Sequence, residues 1–293
     1  MSGHLARSAP VAQAATEHRA ESGPRATGRS VTAFLGLVSA ASIVVAVLLP
    51  RSSAAPLVSA FVPVAVLMLL TPFEGRVIWK GLGLNRTGVL LWPVAVAAPL
   101  AVGAAGYGIA RGLGLVDPKA VAGISAVSLL INVVVTTFLV LGEELGWRGY
   151  LLPRLQQLTS RPGGAILTAV AHAAVHLPLI VLTSTYNHVG SRWVIGPLSM
   201  VTITGAGIFY AWLRDTGHSI WPAAIAHAVG NTALGLLTNA ALSSEALPMA
   251  YLAGEGGVVT ALALTAIAVT TLIHARRRVW RTGGPRGQEE IRR

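Results

Sequence analysis

Eight stretches of this chain, near 31–50, 55–72, 88–110, 123–142, 163–183, 194–213, 220–241 and 250–274, are apolar and nearly free of charge. Wound as α-helix at about 1.5 Å per residue, each is long enough to cross the hydrocarbon core of a bilayer. Hydrocarbon offers no partner to a backbone N–H or C=O, so a spanning segment must be a helix or part of a closed barrel. Barrel strands would read as short alternating segments, whereas these runs are continuous. The expected fold is all-α: a polytopic transmembrane helix bundle of about eight spans. The 293 residues are 53% hydrophobic and 11% charged, against about 25% charged in an ordinary soluble domain. A soluble globular fold is excluded.

The net charge of +11 is distributed as the positive-inside rule expects. Arg7, Arg19, Arg25 and Arg29 precede the first span; Arg76, Lys80 and Arg86 follow the second; Arg148, Arg154 and Arg161 follow the fourth; an Arg-rich stretch follows residue 275. The opposite connections hold Arg51, Arg111, Lys119 and Arg192. An even number of spans then puts both termini in the cytoplasm of a multi-pass cell-membrane protein. The final basic stretch suits anionic lipid, so the expected partner is the lipid bilayer and nucleic acid is not. No cysteine is present, which rules out disulfides, thiolate metal sites and a cysteine nucleophile. Residues 1–30 lack the apolar segment of a secretory signal and read as a disordered cytoplasmic extension. Residues 31–122 form N-terminal helices, 123–241 a core with intramembrane polar residues, 242–275 the last span, and 276–293 a basic cytoplasmic tail. The segment GWRGYLLPRLQQLTSRPGG is too polar to span and reads as a helix in the interface or buried against the bundle. No internal repeat is evident.

Ionisable residues at membrane depth are functional-site candidates by default. Glu143 and Glu144 end the fourth run. On a helix they point about 100° apart, and Glu144 lies four residues before Arg148 on one face, the favoured order for an ion pair. Glu144 is thus a structural acid, and Glu143 a partly desolvated acid suited to general-base work. The bland alternative is a charged cluster that merely ends a span at the water interface. On the fifth run His172 and His176 share a face; on the seventh, His227 and Asn231 do. Either pair alone could be a packing or helix-bridging device. Together with Glu143 they supply a base and hydrogen-bond donors for a developing oxyanion. His4, His18, His218, His274 and the Tyr186–Asn187–His188 group are expected to be non-catalytic.

These residues also resemble a family. EELGWRGYLLPRL is similar to the EExxxR motif of the CPBP intramembrane proteases, also called Abi or CAAX-protease-like, which include the eukaryotic prenyl-protein endopeptidase. HAAVHLP stands where that family has FxxxH, with His172 in place of the usual Phe, and HAVGN matches HxxxN. The resemblance covers roughly residues 125–240, with the three motifs in family order. It implies an endopeptidase in which Glu143 and His176 activate a water, His227 and Asn231 stabilise the tetrahedral oxyanion, and Glu144 and Arg148 hold the site together. The substrate would be a peptide or protein, free or membrane-bound.

No cofactor is expected. A divalent metal is conceivable on Glu143, His172 and His176, but HExxH is absent. The Ala-rich composition, with arginine over lysine, looks bacterial and favours a secreted or bacteriocin-like peptide over a prenylated protein. A polar cavity open towards the cytoplasmic half is expected, because Glu143 and Glu144 stand at the cytoplasmic end of their span. The rival readings are a non-catalytic immunity or peptide-binding protein on the same fold, and a solute transporter.

Overall fold

The computed structural model describes residues 24–282 apart from 76, 118, 120–124, 185–188 and 242. His4, His18 and the Tyr186–Asn187–His188 group, most of the N-terminal extension and the end of the basic tail lie outside the described residues. The long helices are α1 (Pro24–Leu48), α2 (Ala55–Glu74), α4 (Trp92–Gly112), α5 (Ala126–Glu144), α7 (Arg161–Leu182), α8 (Arg192–Gly217), α9 (Trp221–Ala240) and α11 (Val258–Thr282). Between them lie the short α3 (Val77–Lys80), α6 (Leu152–Leu158) and α10 (Ala246–Leu252). Among the described residues there is no strand, only an isolated bridge between Val116 and Ala241. The chain is an all-α polytopic bundle.

Among the described residues, seven helical segments are long and apolar enough to cross a membrane. The eighth long helix, α9, has 20 residues, and is made less apolar by His227, Asn231 and Asn239. Helix starts carry the devices expected of them. Ser125 and Ser160 cap α5 and α7 by accepting from Ser128 N and Gly163 N, and α2, α4, α7 and α9 open with proline in the first turn, where no N–H is needed. Two boundaries depart from the apolar runs. α1 begins at Pro24, inside the stretch read as an extension. The last span begins at Val258 rather than 250, because Gly254, Gly256 and Gly257 separate α10 from α11 and Thr260 Oγ1 bonds Ala253 O across the break at 3.0 Å.

Successive spans alternate in direction. At one end Thr27 reaches Gln157 at 3.5 Å, Arg154 bonds Glu74 at 2.9 Å, Gln156 bonds Asp215 at 2.7 Å, and Asn85 bonds His218 O at 2.9 Å. This is the basic end. At the far end Ser184 N bonds Pro50 O at 2.8 Å, Asp117 N bonds Ala240 O at 2.9 Å, and Ser191 N bonds Tyr251 Oη at 2.7 Å.

α5 does not stop at Glu144. The chain continues through a π-helical turn, Leu145–Leu151, into α6, so GWRGYLL is buried in the bundle rather than lying in the interface. A π-turn inserts an extra residue into the helical ladder and recurs at functional sites. Here every residue of it is buried. It sits in the largest hydrophobic cluster, which includes Phe34, Leu67, Trp147, Tyr150 and Ile220. A clamp fixes it from below: Tyr150 Oη donates to Glu74 Oε1 at 2.5 Å, and the Arg154 guanidinium lies 3.6 Å over the Tyr150 ring. α8 comes close to this turn at Gly207, where a Cβ would stand 2.8 Å from that of Ala169 and 2.9 Å from Arg148 Nη2.

Candidate functional site

The end of α5 and the π-turn that follows it place Glu143 and Glu144, then Trp147 and Arg148, in the middle of the bundle, where α7, α8 and α9 surround them. Glu144 and Arg148 form an ion pair at 2.8 Å with both side chains fully buried. Burying two charges carries a desolvation cost of several kcal/mol per ion that only close geometry and further hydrogen bonds offset. Further bonds meet part of that need, all of them on Glu144 Oε1 and Arg148 Nη1, while Glu144 Oε2 and Arg148 Nε and Nη2 are buried without a hydrogen-bond partner among the described residues. His227 Nδ1 lies 2.9 Å from Glu144 Oε1, Arg148 Nη1 lies 3.1 Å from His172 Nδ1, and the guanidinium stands 5.2 Å from the centre of the Tyr210 ring, a cation–π contact.

His172 joins the two acids. Its Nε2 lies 2.8 Å from Glu143 Oε2. A guanidinium only donates, so Nδ1 of His172 accepts from Arg148. The neutral ring therefore carries its proton on Nε2 and donates it to Glu143. Arginine fixes the tautomer, and the tautomer orients the acid. His172 is buried and stacks on Trp147 with ring centres 4.9 Å apart, which keeps the flat packing that an aromatic residue would supply there. His176, one turn on, bonds His172 O through Nδ1 at 3.1 Å, so its neutral ring carries the lone pair on Nε2. His227 stacks on Tyr210 at 5.2 Å.

A cavity of about 440 Å³ adjoins the cluster and is lined by Glu143, His172, His176, Tyr210, His227 and Asn231, among others. All the residues singled out in the spans thus come together. Asn231, one turn beyond His227 on α9, lies exposed in the wall, with Gly235 and Thr238 exposed on the same face. The cavity does not run towards the basic end, as expected from the position of Glu143 on its span. It extends the other way, to Pro56 and Leu57 at the start of α2 and to Thr238, Glu255 and Thr260. The reason is the π-turn, whose buried side chains fill the space beneath the acids.

Ligand atoms of Glu143, His172 and His176 all lie within 4.8 Å of one another, a spacing that could hold a metal ion in the His₂–carboxylate set familiar from zinc sites. The hydrogen bonding opposes it. With Nδ1 accepting from Arg148, His172 could ligate through Nε2 only by losing its ring proton altogether.

Trp147 and Tyr210 were not singled out from sequence. Trp147 is one of the variable positions inside EExxxR, and Tyr210 lies in an apolar span without a polar neighbour to mark it.

Residues 123–233 match the family described as Rce1-like, type II CAAX prenyl endopeptidase. No curated protein matches the chain. The matched segment contains Glu143, Glu144, Arg148, His172, His176, His227 and Asn231, and over these residues the chain is similar to the Rce1-like family, the CPBP group that its three motifs resemble.

Proposed function

We propose that this multi-pass membrane protein is an endopeptidase that hydrolyses a peptide bond with a water activated by Glu143. The observation that carries the reading is the convergence of Glu143, His176, His227 and Asn231, from three separate helices, on one cavity inside the bundle. The Glu143 carboxylate, held by His172, takes a proton from water with His176 alongside. The hydroxide attacks the scissile carbonyl carbon, and the carbonyl oxygen becomes the oxyanion. The Asn231 amide and His227 donate to it. When the C–N bond breaks, the proton held at Glu143 passes to the leaving amine, giving one new carboxyl and one new amine. Because Nδ1 of His227 faces Glu144, its donation from Nε2 requires the doubly protonated ring. The Glu144 carboxylate at 2.9 Å is placed to balance that charge. In this state two carboxylates face one guanidinium and one imidazolium, and the buried cluster is neutral overall.

The positive-inside pattern assigns both termini to the cytoplasmic face of the cell membrane. The test is cleavage of a peptide library by the purified protein in detergent, with and without a chelator. Cleavage is expected, undiminished by chelation, since the tautomer fixed at His172 disfavours a metal. Absence of cleavage across the library would favour the non-catalytic peptide-binding reading instead. Loss of cleavage on chelation, restored by a divalent cation, would overturn the metal-free mechanism.

His172 contributes by positioning. In His172→Gln the amide nitrogen reaches the place of Nε2 and still donates to Glu143; in His172→Asn the shorter side chain reaches only the place of Nδ1. A hydrogen bond to a charged group contributes about 1.5–3 kcal/mol. His172→Asn should therefore lower kcat by about tenfold or more with KM little changed, and His172→Gln should retain most of it. Equal losses in the two variants would assign His172 to packing alone.

A further inference from the structure

The catalytic cluster is closed towards one end of the bundle and open towards the other, and the charge pattern assigns those ends to opposite sides of the membrane. On the basic end, Leu145–Leu152 is buried throughout, and Trp147, Arg148 and Tyr150 are among the largest fully buried side chains. The Glu74–Tyr150–Arg154 clamp and the Gln156–Asp215 bond lie beneath them. Trp147 lines the cavity on this side, and none of Glu74, Tyr150, Arg154, Gln156 and Asp215 does.

On the far side the cavity reaches within a few residues of the helix ends. Pro56 and Leu57 belong to the first turn of α2, Thr238 to the last turn of α9, and Glu255 and Thr260 to the α10–α11 junction. Between the cluster and that mouth the walls are mainly apolar, with Leu139, Leu179, Ile203, Leu234 and Leu264. Polar Ser59, Thr136, Thr202 and Thr238 interrupt them.

Sidedness follows from the basic residues. Among the described residues, the lysines and arginines at the far end are Arg51, Arg111, Lys119 and Arg192. Lys80, Arg86, Arg154, Arg161 and Arg214 belong to the basic end, where α1 starts and α11 finishes. Basic connections are retained in the cytoplasm, so the mouth of the cavity faces away from it.

We infer that the substrate reaches Glu143 from the non-cytoplasmic side, and that it is an exported or membrane-anchored polypeptide presenting an extended, largely apolar segment. The inference rests on the endopeptidase reading for what is done to the segment, but not for the route. An apolar groove with scattered hydroxyls accepts an extended chain, because side chains pack on the leucines while peptide groups find the threonines and serine. A cytosolic peptide would have to displace the buried π-turn to reach the same atoms.

The absence of cysteine makes the route measurable, since any thiol label reports only an introduced site. Thr238→Cys lies at the mouth, Ser59→Cys further along the wall, and Arg86→Cys on the basic end. None belongs to the catalytic cluster. Each variant is exposed to a membrane-impermeant maleimide in right-side-out and in inverted membrane vesicles. The expected pattern is labelling of Thr238→Cys and Ser59→Cys in right-side-out vesicles with protection in inverted ones, and the reverse for Arg86→Cys. Labelled Thr238→Cys should also lose peptide cleavage in detergent, while labelled Arg86→Cys should keep it.

Mouth positions labelled from the same side as Arg86→Cys, mouth positions labelled from neither side, or Arg86→Cys labelled from outside would each overturn the route. Failure of the endopeptidase reading is seen separately. It would leave the labelling pattern intact and show itself as no cleavage by the unmodified protein in detergent, where sidedness is irrelevant.

Discussion

Glu143→Ala should lower the turnover of a cleaved peptide by about 10²–10⁴-fold, the range contributed by a positioned general base, while the protein stays folded and inserted. The size of the effect follows from the surroundings. Glu143 lines the cavity and is held at Oε2 by His172, so the side chain is oriented before substrate arrives and little reorganisation remains for the transition state. The fold should survive because Glu143 has no part in the buried Glu144–Arg148 pair, and the His172 N–H that loses its acceptor borders the cavity. Glu143→Gln sharpens the test. Its amide oxygen can still accept from His172 and keep the local geometry, yet it cannot take a proton, so it should be as inactive as alanine. Turnover in detergent, alongside the thermal unfolding midpoint of each variant, separates chemistry from folding. Cleavage retained by either variant would mean that the base lies elsewhere, with His176 next to be tested.

Much of this arrangement was legible in the sequence, and what was not has physical reasons. Span number and order follow from apolar length, and the observed helices begin and end within a few residues of the runs, except at α1 and α11. Those two misread because local hydropathy does not register a helix that continues into polar sequence, as α1 does before residue 31, or three glycines that divide an apolar run. The helical angles between Glu143, Glu144 and Arg148 separate a paired acid from an unpaired one, and Glu144 and Arg148 are indeed paired at 2.8 Å.

The partner of Glu143 was not legible. The resemblance to the family points to His176, whereas the imidazole in direct contact is His172, at the position where the family's usual residue is Phe. Contacts between helices distant in sequence leave no periodicity to read. The direction of the cavity was misread for a related cause. Depth along one helix places Glu143 near an end, but the π-turn carries the same helix onward for another 14 residues to Leu158, which moves the acids to mid-bundle and fills the space below them.

Arg148→Met should cost about 3–5 kcal/mol of stability, because it removes one member of a buried ion pair and leaves the other charged and uncompensated. Both side chains have no accessible surface, so water cannot take the place of the guanidinium. The loss extends beyond the pair. Arg148 also donates to His172 and lies against Tyr210, so the ring that orients Glu143 is released as well. The double variant Glu144→Leu/Arg148→Met replaces the pair by apolar groups of similar volume, and such replacements are often neutral or stabilising. Much of the stability lost in the single variant should therefore return, giving a coupling of 0.5 kcal/mol or more in the direction expected for residues in contact, roughly the lower bound for such pairs. Activity should not return with it. Without Glu144, His227 has lost the carboxylate that faces its Nδ1 and with it the charge that balances a doubly protonated ring, so the oxyanion donor is disabled in a protein that folds. Thermal unfolding in detergent measured beside kcat for the two variants distinguishes these effects. An Arg148→Met protein as stable as the parent would show that the pair is hydrated, and a double variant that cleaves at the parental rate would remove Glu144 and His227 from the chemistry.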